Sequence, residues 1–454
     1  MSKSLFKQFN SVSSKEWKQK IQVDLKGADY NETLIWKTNE GIDVKPFYHP
    51  DEVDSLPNVS QTKAAEFKIG QSIYVSDVKR ANKKALNVLN KGVESIYFVI
   101  PNKEIIVSEL LQDIDLNSIP IHFELQFLDA EFGKQLNSIK SKAGIFLNTD
   151  LLGNLAKTGN WFKDLNEDHL GLEKLLKNSN NLRSTLSIDA SSYQNAGATI
   201  VQQLAYSLAH ANEYLNHFGE TIKNQIAFNV AVGTNYFFEI AKLRALRLLW
   251  KTLASEYAIN PDCHIFVSPT RRNKTLYDYN TNLLRTTTEC MSAILGGANT
   301  ICNLAYDSLY HKDNEFGERI ARNQLLVLKH ESYLDKVNNP CDGAYYIENI
   351  TSQLCEKALE LFKDIESNGG FLKQLKDGTI QRKIKESAAQ EQEKFNKSEE
   401  VLLGTNKHPN ANDRMKDELE LFPFVKSNIR KTLIEPIIEN RLAEEIEQKR
   451  LKTE

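Results

Sequence analysis

Eight short runs rich in β-branched and aromatic residues, each separated from the next by a longer stretch, leave this chain few ways to fold. The runs are Ser72–Val75, Ser95–Ile100, Pro120–Leu125, Ala143–Leu147, Thr185–Asp189, Gln225–Val232, Cys263–Val267 and Asn299–Leu304. Between them lie segments such as Asp77–Asn90, Ala196–Phe218, Tyr236–Tyr257 and Thr281–Leu295. Their apolar residues recur every three to four positions, the spacing of a helix packed on a sheet. The stripe Ile240, Leu243, Leu246, Trp250 and Leu253 is the clearest, with Glu239, Lys242, Arg244 and Lys251 mostly off it. Strands alternating with helices require right-handed crossovers and a parallel sheet. Eight such units closing on themselves predict an α/β fold, the (β/α)8 TIM barrel. An open doubly wound sheet is the structural competitor. It announces itself with a glycine-rich phosphate turn after its first strand, and no G-x-G-x-x-G or G-x-x-x-x-G-K occurs here.

The barrel is expected over residues 71–350, after an N-terminal arm (1–70) and before a C-terminal helical extension and linker (351–454). The arm carries Trp17, Tyr30, Trp36, Phe47 and Tyr48 and reads as turns and short strands around Lys26-Gly27-Ala28-Asp29 and Pro46. Apolar side chains on a long arm must be buried against something. That is either this chain's own barrel or a partner, and composition does not choose; the five aromatics are the candidate subunit-interface residues. Beyond the barrel, helices are expected at Thr351–Ser367 and Thr379–Phe395, then a polar break at Gly404–Asn412. A last helix is expected from Leu433 to Leu451, with Pro436 in its first turn, as a solvated, partly packed tail.

The formal net charge of -3 gives no electrostatic grip on nucleic acid or an anionic membrane. Apolar runs fall far short of the ~18 residues of a membrane span, and Met1–Phe9 lacks the apolar core of a signal peptide. Cys263, Cys290, Cys302, Cys341 and Cys355 are too scattered for a disulfide framework and form no Cys-x-x-Cys pair. A reduced, cytoplasmic compartment follows.

Active sites of such barrels lie at the carboxyl ends of the strands. Asp262-Cys263-His264 looks like a metal pair but precedes the seventh run, at the opposite end. His122 and Glu124 share a face of the third run, yet a metal needs a further ligand, and none is evident at matching spacing. His210 and His217, two turns apart on one helix, read as surface or packing residues. The carboxyl-end positions are Asp77, Asn102, Asp150, Asp189, Ser191, Ser192, Asn235, Arg271, Arg272 and Asp307. This set holds no histidine, lysine or glutamate, so no obvious general base is on offer. Aspartates there serve more often as helix caps. Arg271-Arg272 suits an anion or a solvated loop equally, and Arg244, Arg247 and Lys251 read as an exposed helix face. No catalytic, cofactor-binding or metal-ligating residue is assigned from this pattern.

Several long motifs, in order along the chain, resemble the methylmalonyl-CoA mutase family. They are Val23-Asp24-Leu25-Lys26-Gly27-Ala28-Asp29-Tyr30 with Gly41-Ile42 and Pro46-Phe47-Tyr48, and Asn195-Ala196-Gly197-Ala198. Next comes Phe238-Glu239-Ile240-Ala241-Lys242-Leu243-Arg244-Ala245 with Leu248-Leu249-Trp250. Arg285-Thr286, Leu295-Gly296-Gly297-Ala298, Arg319-Ile320-Ala321-Arg322-Asn323, Asn339-Pro340 and Gly343-Ala344-Tyr345-Tyr346 continue the match. The resemblance implies a barrel that, in catalytic chains, is joined to an adenosylcobalamin domain with an Asp-x-His-x-x-Gly signature. The cofactor supplies the radical chemistry interconverting methylmalonyl-CoA and succinyl-CoA, and protein supplies orientation and shielding.

This sequence departs from the catalytic pattern. The only Asp-x-His, at Asp262, has Val267 where the signature has glycine, and Glu454 follows the linker without room for a cobalamin domain. Ser191 and Ser192 stand where catalytic chains carry a Tyr-His pair, and Cys302-Asn303-Leu304 where they carry His-Thr-Asn. Serine offers no imidazole proton to a thioester carbonyl. The resemblance therefore implies a small, non-catalytic subunit, inactive alone, with adenosylcobalamin and acyl-CoA held by a large catalytic partner in a heterodimer. The arm would embrace that partner, and side chains would fill this chain's own barrel. Two other readings stand beside it: a catalytic acyl-CoA mutase barrel working with a cobalamin domain on a separate chain, which a histidine at 192 would have favoured, and a CoA-thioester binding barrel.

Overall fold

A computed structural model describes residues 8–52, 63–426 and 429–454. Its centre is a parallel sheet of eight strands: β1 (Lys68–Tyr74), β2 (Ser95–Ile100), β3 (Ile121–Leu125), β4 (Ile145–Asn148), β5 (Ser187–Asp189), β6 (Ile226–Val232), β7 (Cys263–Pro269) and β8 (Thr300–Cys302). They run β4-β3-β2-β1-β8-β7-β6-β5, so the first and last strands pair (Ile69 with Ile301). A single parallel bridge, Phe146 to Ser184, spans the gap between β4 and β5. The chain folds as the expected (β/α)8 barrel, nearly closed, and each expected run contains or borders one strand.

Alternation along the strands sorts the side chains. Ile69, Phe228, Val230, Val232, Ile265, Val267 and Ile301 face outward into one large core with the surrounding helices. Ile73, Ile96, Phe98, Phe123 and Leu147 build a second. The intervening residues point inward. Helices Ile200–Phe218, Tyr236–Glu256, Thr281–Leu295 and Glu315–His330 follow β5 to β8. Ile200–Phe218 starts at a capping box, in which Thr199 bonds the Gln202 amide and the Gln202 side chain bonds back. Trp250 packs edge-on against Phe228 at 5.4 Å, fixing its helix to β6.

Helix Tyr236–Glu256 is buried nearly all round, which corrects the expectation of an exposed charged face. Glu239, Lys242 and Arg244 are buried, Arg247 is half-buried, and Lys251 alone of the set is exposed. The physical reason is pairing: Lys242 meets Glu239 at 2.5 Å, and Arg244 meets Asp342 and Glu348 at 2.5 and 2.7 Å. Arg247 donates to the carbonyl of Gly297 and to Asn299. Hydropathy spacing does not register charges that are buried because they are matched.

The arm and tail also differ from expectation. The arm begins with two helices, Ser14–Asp24 and Tyr30–Leu34, before a small hairpin of Trp36–Lys37 and Asp43–Val44. Ser13 and Asp29 cap the helices, which is why turn-like sequence became helical. Ile42 and Val44 join the main core. Near the carboxyl terminus, among the described residues, only Glu444–Leu451 is helical. Residues 433–443 form an extended strap instead of a solvated helix. Leu433 N–H donates to Gly159 O, Ile437 to Ala156, Asn440 to Asn195 and Leu442 to Arg272. Pro436 suits this extended run. Gly159 (φ 79°) is needed at the crossing, because a Cβ there would lie 2.7 Å from Ile434 O.

Candidate functional site

The inside of the barrel divides into two layers. Across the middle, five rings fill the axis: Tyr97 from β2, His122 from β3, Phe146 from β4, and His264 and Phe266 from β7. Centroids are 4.5 Å apart for His122 and Phe146, 4.4 Å for Phe146 and His264, and 4.6 Å for Tyr97 and Phe266. His122 is fully buried, and neither of its nitrogens has a hydrogen-bond partner. Burial pushes its pKa down to about 3, so this imidazole is neutral and packs as an aromatic ring. Burial, and then the nearness of His122, holds His264 well below the usual histidine range as well.

Above this plug, at the carboxyl ends, the inward layer turns polar. Ser72, Glu124, Asn148, Asp189, Asn229 and Ser268 sit here, supplied by six strands. Solvent reaches the layer: Ser72 is exposed, and Glu124, Asp189, Asn229 and Ser268 are half-buried. Tyr97 donates its phenol to Glu124 at 2.9 Å. Burial, then repulsion from Asp189, raises the Glu124 pKa. Asp189 attracts Lys157 and is the main cause of the raised Lys157 pKa, with Glu439 of the strap and Glu124 adding to it.

The carboxyl-end residues picked out in the sequence do arrive at this end, but most perform structural work. Asp77 caps helix Val78–Leu89 through the Arg80 amide. Asp150 caps Leu151–Thr158 through Gly153 and accepts from His210, Tyr214 and the Asp189 amide, each at 2.8 Å. It thereby ties β4 to β5 where the sheet has only one bridge. Burial alone would raise its pKa, but the charge and hydrogen bond of His210 and the two amides outweigh it, and the net shift is downward. His210 is fully buried and also meets the Tyr193 hydroxyl at 2.9 Å; His217 is exposed. The Ser191 hydroxyl donates to the Asp189 carboxylate and the Ser192 hydroxyl to the Asp189 carbonyl. Arg272 holds Glu391 at 2.5 Å and the strap at Asn440, while Arg271 stays exposed. Asn303 donates to Ala321 O, and Asp307 accepts from Asn314 and meets His311. His264 of the Asp262-Cys263-His264 run points into the plug rather than toward solvent.

Sequence reasoning found His122 and Glu124 on one face but missed Tyr97, Asn148, Asn229 and Lys157. Alternation within the second, fourth and sixth strands was the signal that would have picked out the first three. Lys157 lies on a helix, where no such pattern points to the axis.

The interface aromatics of the arm divide into two groups. Tyr30 is buried, with the Lys18 ammonium 4.6 Å from its ring centroid. Tyr48 is half-buried and packs on Tyr346 at 5.3 Å. Phe47 is half-buried against Trp17 at 6.1 Å. Trp17 and Trp36 remain 51% exposed, although Trp36 touches Phe238 edge-on at 5.9 Å. Helix Ser14–Asp24 has no buried residue at all. So the second half of the arm docks on its own barrel, and the first half leaves its apolar groups uncovered.

The fold and interior define an α/β-barrel protein whose axis is blocked by rings and whose mouth carries polar groups held mainly by one another. A family model described as methylmalonyl-CoA mutase matches residues 109–452. The methylmalonyl-CoA mutase small subunit of Porphyromonas gingivalis is 34% identical over 99% of this chain and 78% of its own length. That of Streptomyces virginiae is 27% identical over 90% of this chain and 73% of its own. The P. gingivalis large subunit is 32% identical over 57% of this chain and 37% of its own length. The chain belongs to the methylmalonyl-CoA mutase family.

Does this barrel suit the corrinoid that the family implies? A histidine of this barrel could ligate cobalt only if its imidazole reached the mouth. Among the described residues the two inward imidazoles, His122 and His264, lie within the plug with little or no exposure. The inward residues of this barrel therefore offer a corrinoid no imidazole ligand. No helix among the described residues is long and apolar enough to cross a membrane.

Proposed function

We propose that this chain is the small, non-catalytic subunit of a cytoplasmic heterodimeric methylmalonyl-CoA mutase. In this reading a large partner subunit holds adenosylcobalamin and the acyl-CoA and carries out the isomerisation to succinyl-CoA. This chain contributes a folded barrel, from about residue 71 to 350, as a platform, with the arm before it and the helical extension after it. The observation that carries the reading is the ring plug. A CoA thioester threading this barrel would have to displace Tyr97, Phe146 and Phe266 together, and each ring is anchored by its neighbours. Ser191 and Ser192 support the same conclusion, because both hydroxyls are engaged by Asp189 and neither can protonate a carbonyl.

The arm supplies the contact surface. Trp17 and Trp36, with the uncovered helix Ser14–Asp24, are the residues assigned to the partner; Tyr30, Phe47 and Tyr48 hold that surface in shape from beneath. Permanent hetero-complexes bury on the order of 2,000 Å² or more, so the barrel wall must contribute as well.

The test is co-expression with a large mutase subunit, followed by copurification, cobalamin uptake and isomerisation assays. A 1:1 complex is expected, with all cobalamin and all turnover requiring the large chain. Stoichiometric uptake and turnover by this chain alone would overturn the proposal.

A further inference from the structure

We infer that Glu40 is a proton-operated latch: its carboxyl seats the arm's hairpin on the barrel, and protonation tightens the seat. The inference concerns this chain alone and does not depend on the subunit assignment.

The hairpin of Trp36–Lys37 and Asp43–Val44 turns through Thr38-Asn39-Glu40-Gly41. The Gly41 amide donates back to Thr38 O, and Gly41 takes φ 66°, a conformation glycine adopts without strain. The Thr38 hydroxyl donates to Ile42 O and accepts from the Ile42 amide, which fixes the turn. The turn carries Glu40 to the start of helix Ile200–Phe218. There the Val201 amide donates to Glu40 Oε2 at 2.9 Å, and the Ile200 amide faces the same carboxyl. Thr199 already caps the Gln202 amide, so Glu40 takes first-turn amides that the cap leaves free. Ile42 and Val44 of the same hairpin are buried in the main core. The seat therefore has an apolar part that pH does not touch and one titratable part.

What the carboxyl lacks is a counter-ion. Glu40 is half-buried and lines a cavity of about 620 Å³. Among the described residues no cation forms an ion pair with it. Lys242, of helix Tyr236–Glu256, is committed to Glu239, Gln194, Gln203 and Ala231 O. Arg272, after β7, holds Glu391, and Lys394 of helix Thr379–Asn396 bonds Asn39. Lys37 is exposed on the hairpin itself, and Lys357 of helix Tyr345–Ser367 stands beside Gly41. Glu399 and Glu400 add negative charge to the lining, and burial raises the Tyr236 phenol, which stays neutral. Taking an unpaired carboxylate out of water disfavours its charged form. Burial accordingly raises Glu40 from an ordinary 4.5 to about 7, against the two amides, with Glu239 adding to the rise and Lys242 opposing it.

A lifted hairpin returns Glu40 to water and to its ordinary value. The seated state then holds the proton more tightly than the lifted state, so seating strengthens as pH falls from about 7 toward 4.5. Above that window the carboxyl is charged in both states and pH has no further effect. Between pH 8 and pH 6 the seating constant should rise about tenfold. Trp36 pairs with Val44 inside the hairpin, so the same proton sets how firmly this exposed indole is held.

Hydrogen exchange read by mass spectrometry on the full chain, corrected for the intrinsic rate at each pH, measures how often the hairpin lifts. Residues 36–44 should be about tenfold more protected at pH 6 than at pH 8, and β2 and β3 should show no such rise. Glu40→Gln keeps an acceptor without the charge and should show the higher protection at both pH values. Glu40→Ala removes the acceptor and should fall below Glu40→Gln, with no pH step. His49→Asn removes the arm's own imidazole, which meets Asp51, and should keep the parent's profile. Equal protection of the parent at both pH values would overturn the inference. So would a step that persists in Glu40→Gln, a step that vanishes in His49→Asn, or a Glu40→Ala hairpin as protected as that of Glu40→Gln.

Discussion

His122 gives the sharpest test of how this barrel is held together. Its ring is fully buried, stacks on Phe146, and has no hydrogen-bond partner on either nitrogen. Replacing it with leucine, close to it in volume, loses ring contacts of about 0.5–1.5 kcal/mol. It also removes two orphaned polar atoms, which offsets a comparable amount. At pH 8 the variant should therefore match the parent within about 1 kcal/mol. Acid separates the two. Burial pushes the parent's His122 down to about 3, from an ordinary histidine value of 6.5. The unfolded chain thus takes up a proton, through this window, that the folded chain refuses. Stability from this group is present above pH 6.5 and is lost as pH falls toward 3. At roughly 1.4 kcal/mol per pH unit, the parent should lose about 2 kcal/mol relative to the variant between pH 6.5 and 5. Urea denaturation at pH 8, 6.5 and 5 measures this directly. Parallel pH profiles for parent and variant would refute the reasoning, because they would mean that His122 protonates equally in both states.

Asp150→Asn should weaken the seam between β4 and β5. One of its two oxygens becomes a donor facing either the Asp189 amide or the His210–Tyr214 pair, at a cost of about 2–3 kcal/mol. Hydrogen exchange at Asp189 and in residues 184–189 should then quicken more than in β2 and β3. Lys242→Met leaves Glu239 buried without its partner and should cost about 3–5 kcal/mol, whereas Lys251→Met, on the same helix but exposed, should stay within about 0.5 kcal/mol; denaturant melts compare the pair. The double change Trp17→Ser, Trp36→Ser should leave the isolated chain's melting unchanged and weaken assembly with a large subunit at least tenfold in a pull-down titration. Unaltered assembly would remove the arm from the interface.

The barrel was legible because its signal is periodic. Runs of outward Ile, Val and Phe set against helical stripes gave all eight strands, and Thr281–Leu295 emerged at its expected bounds. What was not legible depends on partners far apart in sequence. Arg244 looks solvated until Asp342 and Glu348, about a hundred residues on, are brought beside it. Ile434, Ile437 and Leu442 have a spacing compatible with a helix, yet they are buried by a strap whose hydrogen bonds end on residues 156, 159, 195 and 272. The ring plug was half visible in the alternation of His122 with Glu124. Seeing that the same level receives Tyr97, Phe146 and Phe266 requires the strand register, which no single run contains.

The same register explains why this mouth is poorly suited to proton transfer. A general acid or base must have free hydrogen-bonding capacity and a pKa near the working pH. Here the charged groups meet one condition at most. Asp150 has four donors around it and is held below its ordinary range; Arg272 is clamped between Glu391 and the strap; Asp307 meets Asn314 and His311 through one oxygen. Glu124 is the inward carboxyl raised by burial, but its neighbour Tyr97, which burial and the Glu124 charge keep protonated, already donates to it. A histidine introduced at position 192 would enter a site where Asp189 already takes both serine hydroxyls. Ser192→His should therefore confer no isomerase activity on this chain, and measurable turnover from that single change would show that the mouth holds unused catalytic capacity after all.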